Sequence, residues 1–425
     1  MRKKILAAFF VALIITSASI IYLLQYNTGL DINNDESESD NIPIVASNVS
    51  GFRDAVNIFS FKLFEKLYSE SQGNVFYSPY SVFTALAMSY EGSDGETADE
   101  MRNILSILQD NESFHNYMKN LFNLLNKKER YNISTANALW IKKDLNILIE
   151  YLSIIETYYG GTANVTDFSI PEDAADKINQ WVEDNTNGLI KDLIQSSQID
   201  PVFTALILTN AIYFKGIWEI QFDAINTTVR NFRLDDDTNL NVETMTLIDT
   251  ENYFNYTETQ DLQILELPYS GDDLSMVLIL PKMKSLTQII NTIDADSFKQ
   301  IIESMDKTLV DIYLPKFKFE TSYNLNNPLI ELGMKKALSS DADFSKITGA
   351  KDLFISDVLH KAYIEVNEEG TEAAAATAII FTYTSNGGDG SSRIIFDADH
   401  PFLYMIQHKE TGTILFMGSV TNPLE

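Results

Sequence analysis

Apolar residues recur at helical spacing between residues 52 and 68, where Val56, Phe59, Leu63 and Leu67 share one side of a 3.6-residue period. Ser78 followed by Pro79 predicts a helix start: a hydroxyl that caps free amides, then a ring suited to the first turn. That helix runs through Val82, Leu86 and Tyr90 and stops near Gly92. Thr97 and Glu100 have the spacing of a capping box, and residues 173–181 predict a helix that ends before Gly188. The pattern then changes to short apolar runs at 206–214, 262–267, 276–280, 308–314, 363–366, 403–405 and 414–417. Helices dominate the first half and strands the second, which predicts an α+β fold with antiparallel or mixed sheets.

One stretch has two possible homes. Residues 370–385 read Gly-Thr-Glu-Ala-Ala-Ala-Ala-Thr-Ala-Ile-Ile-Phe-Thr-Tyr-Thr-Ser and lead into a polar, glycine-rich tip. The alanine run favours helix, whereas Ile379, Ile380, Phe381 and Tyr383 favour strand. Taken as a strand, one face carries Thr371, Ala373, Ala375, Thr377, Ile379 and Phe381. The other carries Glu372, Ala374, Ala376, Ala378, Ile380 and Thr382. The first face has no charge, and its first four residues are small. The segment can live exposed as a loop or buried as a central strand.

The chain has 425 residues and is 45% hydrophobic, enough for a large core. Its net charge of -29 excludes a nucleic-acid or anionic-membrane surface and suits solubility. The absence of cysteine excludes disulfides, thiolate catalysis and Cys-type zinc sites. Arg2, Lys3 and Lys4 precede an apolar run over residues 5–24, the form of an export signal. The run is also nearly long enough to stay as a membrane anchor, so residues 1–26 are a cleaved signal or an anchor, with the bulk of the chain outside the cell. Residues 27–50 are polar and acidic and predict a flexible linker; residues 51–425 have no comparable break and predict one domain. Asn48, Asn111, Asn132, Asn164, Asn226 and Asn255 stand in Asn-x-Ser/Thr sites.

Enzyme signals are missing. No two of His115, His360, His400 and His408 sit at metal-ligand spacing, and no nucleophile elbow, phosphate loop or dinucleotide fingerprint is present. His360 shares a strand face with Ala362, Ile364 and Val366, so it must find a polar partner inside. Asn210, within the apolar run 206–214, has the same need. Ser78 and Ser81 offer hydroxyls, and one buried Ser/Asn/His network satisfies all four. Such a network can act as a latch on a sheet.

Several blocks together resemble the serpin family of serine protease inhibitors, from Gly51 to the C-terminus. They are Asn74-Val75-Phe76-Tyr77-Ser78-Pro79-Tyr80-Ser81, Thr209-Asn210-Ala211-Ile212-Tyr213-Phe214-Lys215-Gly216-Ile217-Trp218, Glu266-Leu267-Pro268-Tyr269, Leu314-Pro315-Lys316-Phe317 and His400-Pro401-Phe402-Leu403. The most specific is the hinge signature Asn367-Glu368-Glu369-Gly370-Thr371-Glu372-Ala373-Ala374-Ala375-Ala376-Thr377. The resemblance implies three β-sheets, about nine helices and an exposed reactive-centre loop over about residues 368–396. It implies that Ser78, Ser81, Asn210 and His360 form the polar shutter under the main sheet. Trp218, Lys316 and Glu368 would line the breach where the loop first inserts, with Lys316 and Glu368 as an ion pair.

The implied activity is suicide inhibition: a protease cuts the loop, is held as an acyl-enzyme, and is carried off as the freed strand inserts. Fifteen residues counted from Gly370 place the cut after Thr384, before Ser385, with Tyr383 or Phe381 as alternatives. Thr384 suits an elastase- or subtilisin-like protease, Tyr383 or Phe381 a chymotrypsin-like one, and a cysteine protease stays open as a target. The resemblance implies a monomer without cofactor, metal or catalytic residues of its own. The competing reading is a non-inhibitory binding or chaperone module on the same fold; the small, uncharged hinge row disfavours it.

Overall fold

Sixteen strands fall into two hydrogen-bonded systems in the computed structural model, which describes residues 46–71, 73–108, 110–125, 131–371 and 393–425. In chain order they are β1 (Val75–Tyr77), β2 (Tyr131–Lys142), β3 (Thr162–Thr166), β4 (Leu206–Ile217), β5 (Thr228–Arg233), β6 (Asn239–Leu247), β7 (Tyr253–Glu258) and β8 (Leu262–Pro268). There follow β9 (Leu274–Pro281), β10 (Asp306–Pro315), β11 (Phe317–Asn324), β12 (Ile355–Val366), β13 (Gly370–Thr371), β14 (Ile394–Asp397), β15 (Phe402–His408) and β16 (Thr413–Val420). Ten α-helices accompany them among the described residues, so the fold is mixed α+β as predicted.

The main sheet has the order β11-β12-β13-β4-β2-β3. Its β4 reads as a continuous apolar run because both faces are covered. Leu206, Leu208, Ile212 and Phe214 face the principal core. Ile207 and Ala211 face the Pro171–Asn185 helix through Trp140, Ile178 and Val182. The remaining ten strands form two further sheets that share β10, which links them into one hydrogen-bonded system and completes the three sheets expected. β10 is the joint: Asp306–Leu309 pair with β7, whereas Ile312–Pro315 pair with β6, and β14 runs parallel alongside Val310–Tyr313.

The Pro79–Glu91 helix begins as the sequence predicts, with the Ser78 side chain accepting the Ser81 amide. Among the described residues the first helix spans Ala46–Glu70, and so it includes the end of the stretch expected to be linker. The capping box at Thr97 and Glu100 does not form. That helix starts at Gly95 with Asp94 at the cap position. Thr97 accepts the Asp343 amide, and Glu100 accepts the amides of Lys335 and Lys336. Both side chains serve a distant loop, a use that spacing alone does not reveal.

The run at 363–366 is the end of a twelve-residue strand. Its first part is masked in the sequence by polar residues that have partners: Ser356 accepts the Ala205 amide, Asp357 accepts from Asn324, and Lys361 pairs with Glu320. The predicted signal or anchor segment lies outside the described residues. Among the described residues no helix is long and apolar enough to cross a membrane.

Candidate functional site

β12 and β4 run parallel and pair from Ile355/Leu206 to Ala362/Ile212. Beyond that point they part, and β13 lies between them. Gly370 pairs with Ile217, Thr371 with Gly216, and Val366 with Thr371 on the other side. The main sheet is therefore open at one end, with two residues of the hinge already seated in the gap. Thr371 is 1% exposed, and its hydroxyl lies 2.6 Å from the Tyr269 phenol. Burial pushes that phenol far above its usual range, so it stays a neutral hydrogen-bonding group. Tyr269 stacks on Trp218 at 4.6 Å and meets Phe214 edge-on at 5.0 Å. Backbones approach closely here: a Cβ at Gly370 would lie 2.0 Å from the Gly216 carbonyl oxygen.

The segment before the hinge is held by the residues that the sequence places at the breach. The Trp218 indole donates to the Asn367 carbonyl at 3.0 Å, and its amide donates to Glu369 O at 2.9 Å. The Phe222 amide donates to Glu368 O at 3.0 Å. The Glu368 carboxylate accepts the Thr227 hydroxyl at 2.7 Å and pairs with Lys316 at 3.3 Å. Partial burial opposes the Glu368 charge, but Thr227 and Lys316 outweigh it and hold the carboxyl below its usual range. Lys316 also reaches Glu243 at 3.5 Å, so the cation ties the hinge to β6.

The polar network sits deeper, where β4 and β12 are still paired. His360 lies directly opposite Asn210 in that ladder. The Ser78 amide donates to His360 Nε2 at 3.1 Å, which leaves the proton on Nδ1, facing Asn210 Oδ1 in a close contact. The Asn210 amide donates to Ser81 Oγ and to Asn137 Oδ1, and Ser81 donates to Asn137 at 2.9 Å. Ser78 Oγ donates to Leu415 O at 2.6 Å. Burial pushes the His360 imidazole down to about 3, so the ring is neutral.

All four expected shutter residues thus meet, joined by a fifth, Asn137. Its signal was present in the sequence: like Asn210, it sits between apolar residues of a strand, Ala136 and Ala138 to Ile141. Tyr269 belongs to a recognised block, but its contact with Thr371 spans 102 positions and leaves no local trace.

Glu372, Ala373, Ala374, Ala375, Ala376 and Thr377 lie outside the described residues, as do Phe381, Tyr383, Thr384 and Ser385. The chain is described again at Arg393. Its guanidinium pairs with Asp311 at 2.7 Å and donates to Thr250 O at 3.0 Å, which fixes the start of β14. Among the described residues no His, Asp or Glu cluster could hold a metal ion.

A family model described as serpin (serine protease inhibitor) matches residues 54–423. An uncharacterized serpin-like protein of Thermococcus kodakarensis is 41% identical over 372 residues, covering 87% of this chain and 85% of its own. The leukocyte elastase inhibitor of Xenopus laevis is 39% identical, covering 86% of this chain and 97% of its own. Among solved structures, the thermophilic serpin tengpin in its native state superposes with a TM-score of 0.79 at 30% identity, covering 91% of this chain and 96% of its own. The open-ended main sheet, the polar network beneath it and these matches agree: the chain belongs to the serpin family.

Proposed function

We propose that this protein inhibits a serine protease as a suicide substrate, by cleavage of the loop after Thr371 and insertion of its freed strand between β12 and β4. The observation that carries this reading is Thr371, already buried between the two strands with its side chain on the core face. Extending its register opposes Ala373 to Phe214, Ala375 to Ile212, Thr377 to Asn210 and Ile379 to Leu208. All four positions lie on the core side of β4. The inserting row is small and uncharged where the core is tightest, so no charge has to be buried. From β12 the same extension brings Thr377 level with His360. The Thr377 hydroxyl then arrives where the His360–Asn210 contact must break, and can hydrogen-bond either partner.

In the covalent step the protease serine oxygen attacks the carbonyl carbon of the cut residue. Its proton passes through the protease histidine to the departing amine, which becomes a new N-terminus, and an ester links protease to inhibitor. Insertion of about twelve residues carries that ester about 40 Å before water can hydrolyse it.

The register also bears on the cut site. A chain cut after Phe381 would place its ester level with Leu206, the first residue of β4, whereas Tyr383 or Thr384 clears that end of the strand. This disfavours a cut after Phe381 and is compatible with Thr384–Ser385, the bond the count from Gly370 gives, and with Tyr383; Thr384 suits an elastase- or subtilisin-like target. The name of the Xenopus laevis relative, an elastase inhibitor, points the same way. The basic N-terminus followed by an apolar run supports action outside the cell, from a secreted or membrane-anchored monomer.

Incubation with elastase, subtilisin and chymotrypsin tests the reading. The expected result is an adduct that survives boiling in detergent, with mass spectrometry placing the new N-terminus at Ser385. Loop cleavage without any adduct, by all three proteases, refutes inhibition.

A further inference from the structure

A cleft of about 610 Å³ opens beside the last turns of the Ala46–Glu70 helix, where β1 begins and β16 ends. The turn between β5 and β6 and the Leu286–Ile290 helix supply its other walls. Its size is that of a small-molecule site.

The chemistry of the walls is one-sided. Glu65, Asp235, Asp236 and Glu425 line the cleft, and no lysine, arginine or histidine does. Among the described residues none of these four carboxylates takes part in an ion pair. The Tyr68 phenol lies 3.3 Å from the Thr287 hydroxyl. Burial pushes it above its usual range, and the Asp235 charge pushes the same way, so it stays neutral. Every charge in the cleft is therefore negative.

A buried hydroxyl points to the same place. Ser419, next to last in β16, is fully buried, and its Oγ has no hydrogen-bond partner among the described residues. Such an orphan is a cost to the fold. Its direction follows from the register: Val75 opposes Ser419, and Tyr77 opposes Met417. Tyr77 faces the Ala46–Glu70 helix, stacking on Phe64 at 6.4 Å and donating to Ser60 O. Alternation puts Ser419 and Thr421 on that same side, and Thr421 lines the cleft. The orphaned hydroxyl thus faces the cleft floor, one same-side position in from Thr421.

We propose that this cleft binds a linear organic polyamine, with one ammonium group donating to Ser419 Oγ and the others paired with the carboxylates. An ammonium group has three donors and no acceptor, which matches walls of carboxylate and hydroxyl oxygens. A single metal ion fits less well, because no three acidic side chains among the described residues are grouped closely enough to hold one. Negative charge spread along a cleft suits several cations on one flexible chain. The methylenes between them find apolar surface on Tyr68 and Leu234. The proposal does not depend on the inhibition reading.

The test is calorimetric titration of the full chain with spermidine at physiological ionic strength. The expected result is one-to-one binding and a raised thermal midpoint of unfolding. Glu65 and Asp235 are exposed, so E65Q/D235N keeps the fold, and its affinity should fall by about fivefold or more. S419A should also bind more weakly. Its free form should unfold at a temperature no lower than wild type, because alanine removes an unpaired hydroxyl.

Both variants must weaken binding; either one binding like wild type overturns the proposal. The net charge of -29 attracts polycations everywhere, so equal binding by E65Q/D235N would mark a diffuse counter-ion effect. Absence of one-to-one binding overturns the proposal as well. If calcium displaces spermidine at matched ionic strength, and its own binding needs Glu65 and Asp235, the cleft is a metal site and the proposal fails.

Discussion

His360 makes the closed sheet sensitive to acid in a calculable way. Its ring accepts the Ser78 amide at Nε2 and donates from Nδ1 to Asn210, a pattern open only to the neutral imidazole. Burial lowers its pKa from an ordinary 6.5 to about 3. The stabilisation is complete above 6.5 and is lost as the pH falls towards 3, because over that window the unfolded chain binds a proton that the folded chain refuses. Each pH unit below 6.5 costs about 1.4 kcal/mol, so the loss at pH 5 is about 2 kcal/mol. His408 is also depressed by burial and adds to the effect in the same direction. A comparison with His360→Gln isolates the one ring, because glutamine both donates and accepts but does not titrate. Urea unfolding at pH 8 and pH 5 is the assay. Wild type should lose about 2 kcal/mol more than His360→Gln between the two pH values. Equal losses would show that the imidazole does not carry this burden, and the assigned tautomer and its burial would be wrong.

Thr371→Arg should turn inhibitor into substrate, because the new cation would have to sit against Tyr269 and Trp218 in the closed seat. The stoichiometry of protease titration should rise several-fold and the adduct should fade, while the rate of loop cleavage holds; retained inhibition would contradict the insertion path. Gly370→Ala introduces a methyl 2.0 Å from Gly216 O and should destabilise the protein by about 1–3 kcal/mol. Urea midpoints and protease sensitivity of residues 368–371 would register the unseated hinge; an unchanged midpoint would mean that β13 shifts aside at no cost.

Much of the functional region was legible because its signals are local. Ser78-Pro79 announces a helix start from two residues. The hinge shows its two faces by parity alone, and the buried side of Thr371 is the side that alternation assigns. Polar residues inside apolar runs, as at Asn210 and His360, had to meet something, and they meet each other. Long-range partnership was not legible. Thr97 and Glu100 have capping-box spacing, yet a loop more than two hundred positions away claims both. The first half of β12 looks like a loop until its polar side chains find Ala205, Asn324 and Glu320. The merging of two sheets through β10 depends on one strand changing neighbours midway, which no periodicity encodes.

The last two strands, beyond β14, are among the most deeply placed in the molecule. Every residue of β15 and β16 is buried, with β15 between β9 and β16 and β16 also carrying β1. A nick anywhere between Thr371 and Arg393 therefore severs the backbone without detaching its downstream piece. Covalent continuity and structural integrity are uncoupled at this one stretch: the tail is retained by burial and ladder bonds rather than by the chain. The product of a cut is a single particle made of two interlocked polypeptides, intact by size in native conditions and divided only when denatured.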